Sequence, residues 1–173
     1  MFKISNVRLY SVFAIMLIGL VGLGYITMVD KTGYVSASQK KWDVGVNESS
    51  YASYGVGVEL ASPTITGKEI EFNVQLNNKG DYKTYTFEVE NLGNVDAHFV
   101  SANSSAETSS DATITYTVSK GDSIIYDSVS DKLNNTNNHL YQNGKNLVEV
   151  TIRNDSENAV AVKYTLKLNY EED

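Results

Sequence analysis

Few residues in this chain could do chemistry. There are two histidines, His98 and His139, and no cysteine among 173 residues. Without cysteine there is no thiolate nucleophile, no disulfide framework and no thiolate metal site. Neither HExxH nor His-x-His occurs, so the ligand spacing of a catalytic zinc is missing and each histidine reads as a solvated surface residue. Asp122, Asp127 and Asp131, with Asn134 and Asn135 close behind, offer the oxygen ligands that calcium takes. Their spacing fits no calcium loop, and Asp and Asn recur in turns because their side chains bond nearby backbone. They are calcium candidates on donor type alone. Glu69, Glu71, Glu88 and Glu90 fall on the polar sides of neighbouring strands. A glycosidase pair needs one carboxyl with a raised pKa, and exposed strand carboxylates have nothing to raise it. Serines abound, but no GxSxG elbow accompanies them. Four N-x-S/T sequons, at Asn47, Asn103, Asn134 and Asn154, fall in turns or loops and matter only in a host that glycosylates them. The expectation is a protein without a catalytic site, metal or cofactor.

The elements that would hold these residues are strands. Between Ile70 and Ala97 the apolar residues Ile70, Phe72, Val74 and Leu76 alternate with polar ones, and so do Tyr85, Phe87 and Val89. Gly80-Asp81 turns between the two runs, and the Asn91-Leu92-Gly93-Asn94 bend leads into a third at Val95, Ala97 and Phe99. Period two gives each strand one dry face and one wet one, and two dry faces call for a second sheet. Trp42, Val44 and Val46 read as the inward side of a first strand. Tyr54, Val56, Val58 and Leu60 read as one side of a second, with Pro63 closing it. Ile114, Tyr116 and Val118 form a further strand, and Lys120-Gly121-Asp122 turns into Ile124–Tyr126. The clearest pair comes last: Val148, Val150 and Ile152, then Val160, Val162, Tyr164, Leu166, Leu168 and Tyr170. Ser101–Ser110 reads as a polar loop. Asp127–Gly144 is long and patternless, with a short helical turn over Ser128–Leu133. Eight or nine short strands with turn signals between them make one antiparallel β-sandwich over 42–173, an all-β domain of immunoglobulin-like or jelly-roll topology.

The totals bound the surroundings. Leu9–Val29 is a run of 21 uncharged, largely apolar residues preceded by Lys3 and Arg8. As a helix it is long enough to cross a bilayer, and the positive-inside rule places residues 42–173 outside. Two alternatives stay open for residues 1–29: an uncleaved single-pass membrane anchor, or a long signal peptide cut near Val35-Ser36-Ala37. Residues 30–41 are small and polar, a tether. Beyond residue 29 stand 12 basic and 21 acidic residues, a net of −9. That balance argues against nucleic acid, whose phosphates need a basic patch.

The run Leu76, Gly80, Asp81, Tyr85, Phe87, Val89, Asn91, Gly93, Asp96, Ala97 resembles a pattern of exported Gram-positive surface proteins, the camelysin/TasA-type family of biofilm-matrix fibre proteins. It covers about 25 residues. Lys79 stands where those proteins usually carry a proline before the Gly-Asp, and their Tyr/Phe-Ser-Asp start is not matched. The resemblance implies a surface β-sandwich, and in fibre-forming members a subunit's N-terminal strand completes the next subunit's sheet. The matching segment here is Lys41–Val46, with Trp42, Val44 and Val46 as its inward side; unexchanged, the same strand pairs within its own domain. Camelysin is described as a metallopeptidase, but no residues here supply that site.

The expected function is therefore an exported structural, matrix or adhesion component that is not an enzyme, meets the membrane through Leu9–Val29, and self-associates or meets a surface partner. The alternative is a module binding a glycan or protein through the 127–144 loop. A metallopeptidase comes third.

Overall fold

A computed structural model describes residues 39–107 and 111–173. The chain divides into Met1–Gln39 and Lys40–Asp173, and the fold below is that of the second unit. The apolar run Leu9–Val29, expected to be a helix, and the candidate cleavage site at Ala37 lie outside the described residues. Among the described residues, no helix is long and apolar enough to cross a membrane.

Eleven strands follow in chain order: β1 (Val44–Gly55), β2 (Val58–Thr66), β3 (Glu69–Leu76), β4 (Tyr82–Asn91), β5 (Ala97–Glu107), β6 (Ala112–Lys120), β7 (Ser123–Asp127), β8 (Lys132–Leu133), β9 (His139–Leu140), β10 (Lys145–Asn154) and β11 (Val160–Glu172). They build two antiparallel sheets, ordered β1-β4-β10-β6-β7-β8 and β2-β3-β11-β5-β9. This is the expected two-sheet, all-β architecture. The alternation read from the sequence sets the inward faces. Phe72, Val74 and Leu76 of β3, Tyr85, Phe87 and Val89 of β4, and Val162, Leu166 and Leu168 of β11 are all buried. Across the gap between the sheets the Phe72 and Tyr85 rings sit 4.6 Å apart, with Tyr164 of the neighbouring strand at 6.0 Å from Phe72.

β3 and β4 do not form a hairpin. They lie in different sheets, so the Gly80-Asp81 turn carries the chain across the sandwich. Glu69 and Glu71 therefore sit on one outer surface and Glu88 and Glu90 on the other. Adjacency in sequence suggested neighbouring strands; the burial of both apolar faces against each other separates them.

Four further expectations are corrected. Trp42 precedes β1 and is 39% exposed, with the Lys68 ammonium 5.4 Å from its ring; only Val44 and Val46 face the core. The supposed strand of Tyr54, Val56, Val58 and Leu60 is instead the end of β1, a turn and the start of β2, and all four side chains are exposed. Of the expected Ser101–Ser110 loop the described part is strand, since β5 runs to Glu107, paired with β11 from Ser101↔Asn169 to Glu107↔Lys163; residues 108–110 lie outside the described residues. Ladder pairing outweighs the weak strand preference of Ser and Asn there. Ser128–Leu133 makes no helix. The Asp127 carboxylate accepts from the Val129 amide and the Ser130 hydroxyl, and Asp131 takes φ 47°. That left-handed residue closes a turn instead of extending a helix.

Candidate assembly edge

A strand can be exchanged or added only at a sheet edge. In the first sheet β1 is such an edge, and it is the strand that the 30–41 segment leads into. Its first half, Val44–Asn47, pairs with Asn91–Glu88 of β4; its second, Ala52–Gly55, pairs with Thr86–Lys83, and the register slips between them. At the slip, Ser50 Oγ accepts the Glu88 amide at 2.7 Å.

Asn91 and Gly93 form the socket for the start of this strand. The Asn91 side chain is fully buried; it donates to the carbonyls of Val95 (2.8 Å) and Leu140 (3.0 Å) and accepts from the Gly93 amide (3.0 Å). The bend so shaped receives the incoming chain: Leu92 and Asn94 amides donate to Asp43 and Lys41 carbonyls at 2.8 and 3.0 Å, and the Lys41 amide donates to the Asn94 side chain at 2.7 Å. A Cβ on Gly93 would lie 2.3 Å from the Lys41 carbonyl oxygen. Glycine is therefore required for so close an approach. The candidate assembly strand and half of the motif thus meet in one place.

The other half does not join them. Gly80, at φ 85°, and Asp81 lie at the far end of β4. The Asp81 carboxylate accepts the amides of Asn77 and Asn78, and the backbone there bonds Asn154 at the end of β10. Asn154 repeats the Asn91 device. It accepts from the amide two residues on (Ser156) and donates to the carbonyl four residues on (Asn158), both at 2.8 Å.

On its inner side β1 reaches a shielded ion pair that joins β4 to β2. Lys83 Nζ lies 3.1 Å from Glu59, with side chains only 12% and 23% exposed, and Ser53 of β1 donates to the same carboxylate at 2.5 Å. Burial pushes the Glu59 pKa up, but the bonds from Ser53 and the Lys83 ammonium outweigh it and hold the carboxyl below its usual range. Farther out, Lys145 bridges Glu88 and Glu90, each at 2.7 Å, and Glu90 also accepts from Asn47 of β1 at 2.7 Å.

The strands that end the sheets elsewhere are blunted or short. β2 carries Pro63 and two register slips, and β8 and β9 are two residues long. Such features discourage edge pairing.

The calcium candidates are not brought together. Asp122 and Asp127 lie at opposite ends of β7, Asp127 closes its own turn, and Asp131 accepts the Tyr126 hydroxyl at 2.8 Å. Among the described residues no group of three His, Cys, Asp or Glu side chains is arranged to hold a metal.

The histidines, read as separate, are neighbours. His98 of β5 and His139 of β9 are register partners, and their Nδ1 atoms sit 2.6 and 2.8 Å from the two oxygens of Asp173. No spacing could reveal this, because β9 is too short to leave a pattern. Burial works to raise the Asp173 pKa, but the bonds from His139 and His98 prevail and hold it below the ordinary carboxylate value. A depressed folded pKa contributes stability that is present above the unfolded value, about 3.9 for Asp, and lost as pH falls through the folded one. Asp173→Asn is expected to flatten the loss of stability as pH falls below about 4. Urea midpoints across that range check it; parallel curves for the two proteins would contradict it.

No family model matches the chain, and no curated protein matches it. Among solved structures it is similar to one described as accessory secretory protein 1,2 and 3 in Streptococcus pneumoniae, at 7% identity and TM-score 0.26 over 76% of this chain and 95% of that one. It is also similar to one described as "CBM4 structure and function", at 11% identity and TM-score 0.28 over 72% and 96%. Neither likeness carries an argument at these TM-scores.

Proposed function

We propose that this is an exported surface or matrix protein of structural or adhesive function. Residues 42–173 are displayed beyond the bilayer by the Leu9–Val29 segment, or released after cleavage near Ala37, and subunits join by strand addition. The observation that best supports it is the placement of Val44–Asn47. These residues form the first half of an edge strand, led in by Lys41 and Asp43 on the Asn91–Asn94 bend and divided from the second half by a register slip. Exchanging them between subunits costs few contacts beyond those regained in the neighbour, whose β4 offers the same partners. Function of this kind needs a stable surface and no reacting group.

A chain beginning at Ser38 is expected to form fibres as its concentration rises, and to lose them when Lys41–Val46 is deleted. Electron microscopy and sedimentation check this. Persistent monomers, or a cytosolic location for residues 42–173 in cells, would overturn the reading.

A second reading has its own observation. An open cleft of about 480 Å³ is lined by Ile124, Ile125, Asp127, Ser130, Lys132, Leu133 and Asn134. A lining that mixes Ile124, Ile125 and Leu133 with polar and charged side chains suits a small ligand. Ligand-dependent protection of residues 127–144 from hydrogen exchange would favour it.

A further inference from the structure

β5 is paired on both sides only at its start. On the outer side β9 covers Ala97 and His98, and Asn138 then exchanges bonds with Phe99: its carbonyl accepts the Phe99 amide at 2.9 Å and its side chain donates to the Phe99 carbonyl at 3.0 Å. The register slips next, between Asn169 and Tyr170 on the β11 side. From Ser101 to Glu107 the strand is paired with β11 alone, and among the described residues nothing bonds its outer backbone. This seven-residue edge has no proline and one charge, at its far end. It is unguarded where the other edges are blunted or short.

The residues along it read almost the same in both directions. Antiparallel pairing centred on Ser104 sets Ser104 opposite Ser104, Ala102 opposite Ala106, and Asn103 opposite Ser105. Small residues meet small ones on the side shared with Leu166 and Leu168 of β11, and polar meet polar on the other. Glu107 would meet Ser101, so no like charges face each other. Glu107 also keeps Lys163 as its neighbour in its own sheet. The window closes itself, because Asn138 of each copy stops the incoming strand just beyond Ser101.

We infer that the Ser101–Glu107 edge of β5 pairs with the same edge of a second copy, about a two-fold axis at Ser104, joining the two β2-β3-β11-β5 sheets into one. This contact is separate from the exchange of β1 and goes beyond it. A chain with both would have one isologous and one head-to-tail interface.

The absence of cysteine makes the test clean. Opposed residues of an antiparallel pair have Cα atoms about 4.5–5.5 Å apart, within disulfide reach. In the full-length chain in detergent, Ser104→Cys is expected to yield a disulfide-linked dimer under mild oxidation. Asn103→Cys mixed with Ser105→Cys should cross-link as a heterodimer. Glu157→Cys, in the exposed turn after β10, serves as the background. Asn103→Lys with Ser105→Lys sets lysine against lysine twice and should weaken the dimer at least about tenfold by sedimentation, whereas Asn103→Lys with Ser105→Glu should keep it. Cross-linking of Ser104→Cys no faster than Glu157→Cys would overturn the inference. So would a dimer that survives the double lysine change but not deletion of Lys41–Val46, which would assign the contact to β1.

Discussion

Phe72→Ala is expected to lower the stability of the Lys40–Asp173 unit by about 3–5 kcal/mol, as large-to-small changes of buried aromatics do. The ring is 0% exposed and lies between Tyr85 and Phe87 of the opposite sheet and Tyr164 of its own, at 4.6, 6.2 and 6.0 Å. Removing it strips contacts from both sheets at once. Neighbouring strands are held by ladders and cannot close inward to fill the space. Domains of this size are stable by only about 5–15 kcal/mol, and no disulfide adds to that here. Tyr54→Ala, at a position 50% exposed, should move stability by no more than about 0.5 kcal/mol. Urea unfolding of the two variants provides the comparison; near-equal midpoints would contradict the packing described.

Asn91→Ala is expected to cost about 3 kcal/mol for a different reason. It leaves the Val95 and Leu140 carbonyls and the Gly93 amide without their partner, and a buried polar group left unpaired costs about 1–3 kcal/mol. Asn91→Asp should not rescue it. A carboxylate can accept from Gly93 but cannot donate to two carbonyls, and it would bring a charge into a fully buried site. The change also slackens the bend that seats Lys41 and Asp43. Hydrogen exchange should therefore speed up over Val44–Asn47 in the variant while β10 and β11 stay protected. Uniform protection along β1, with unfolding unchanged, would show that the bend stands without this side chain.

The parts of the fold that could be read from the chain are those in which one face is dry. β3, β4, β10 and β11 alternate strictly, and every apolar position named in them is buried, because a period of two leaves no other face for Phe72 or Leu166. Reading failed at the margins. Tyr54, Val56, Val58 and Leu60 alternate as a core strand would, yet they run from the end of β1 to the start of β2, edge strands of different sheets, and stay exposed. Ser101–Glu107 has no pattern at all, and its strand conformation comes from β11, a partner far along the chain. The candidate edge was half legible. Val44 and Val46 and the Asn91 and Gly93 positions could each be singled out, but their meeting depends on two residue pairs, Lys41–Asn94 and Asp43–Leu92, that no local rule supplies. The resemblance to the camelysin/TasA-type family remains a reading of the motif residues. In this domain those residues act as two strand-end devices, one at each end of β4.

The arrangement of the domain's ends bears on how it would carry load. Lys40 and Glu172 form an ion pair at 2.5 Å, and the Asp173 amide donates to the Asp96 carbonyl, so the chain enters and leaves the fold at the same pole. Tension drawn between those two points would pull β1 sideways off β4 from its Val44 end, breaking rungs one after another and not all together. The register slip after Asn47 gives such peeling a natural place to pause. Pulled from the Gly80 pole instead, the same sandwich would have to shear whole ladders at once.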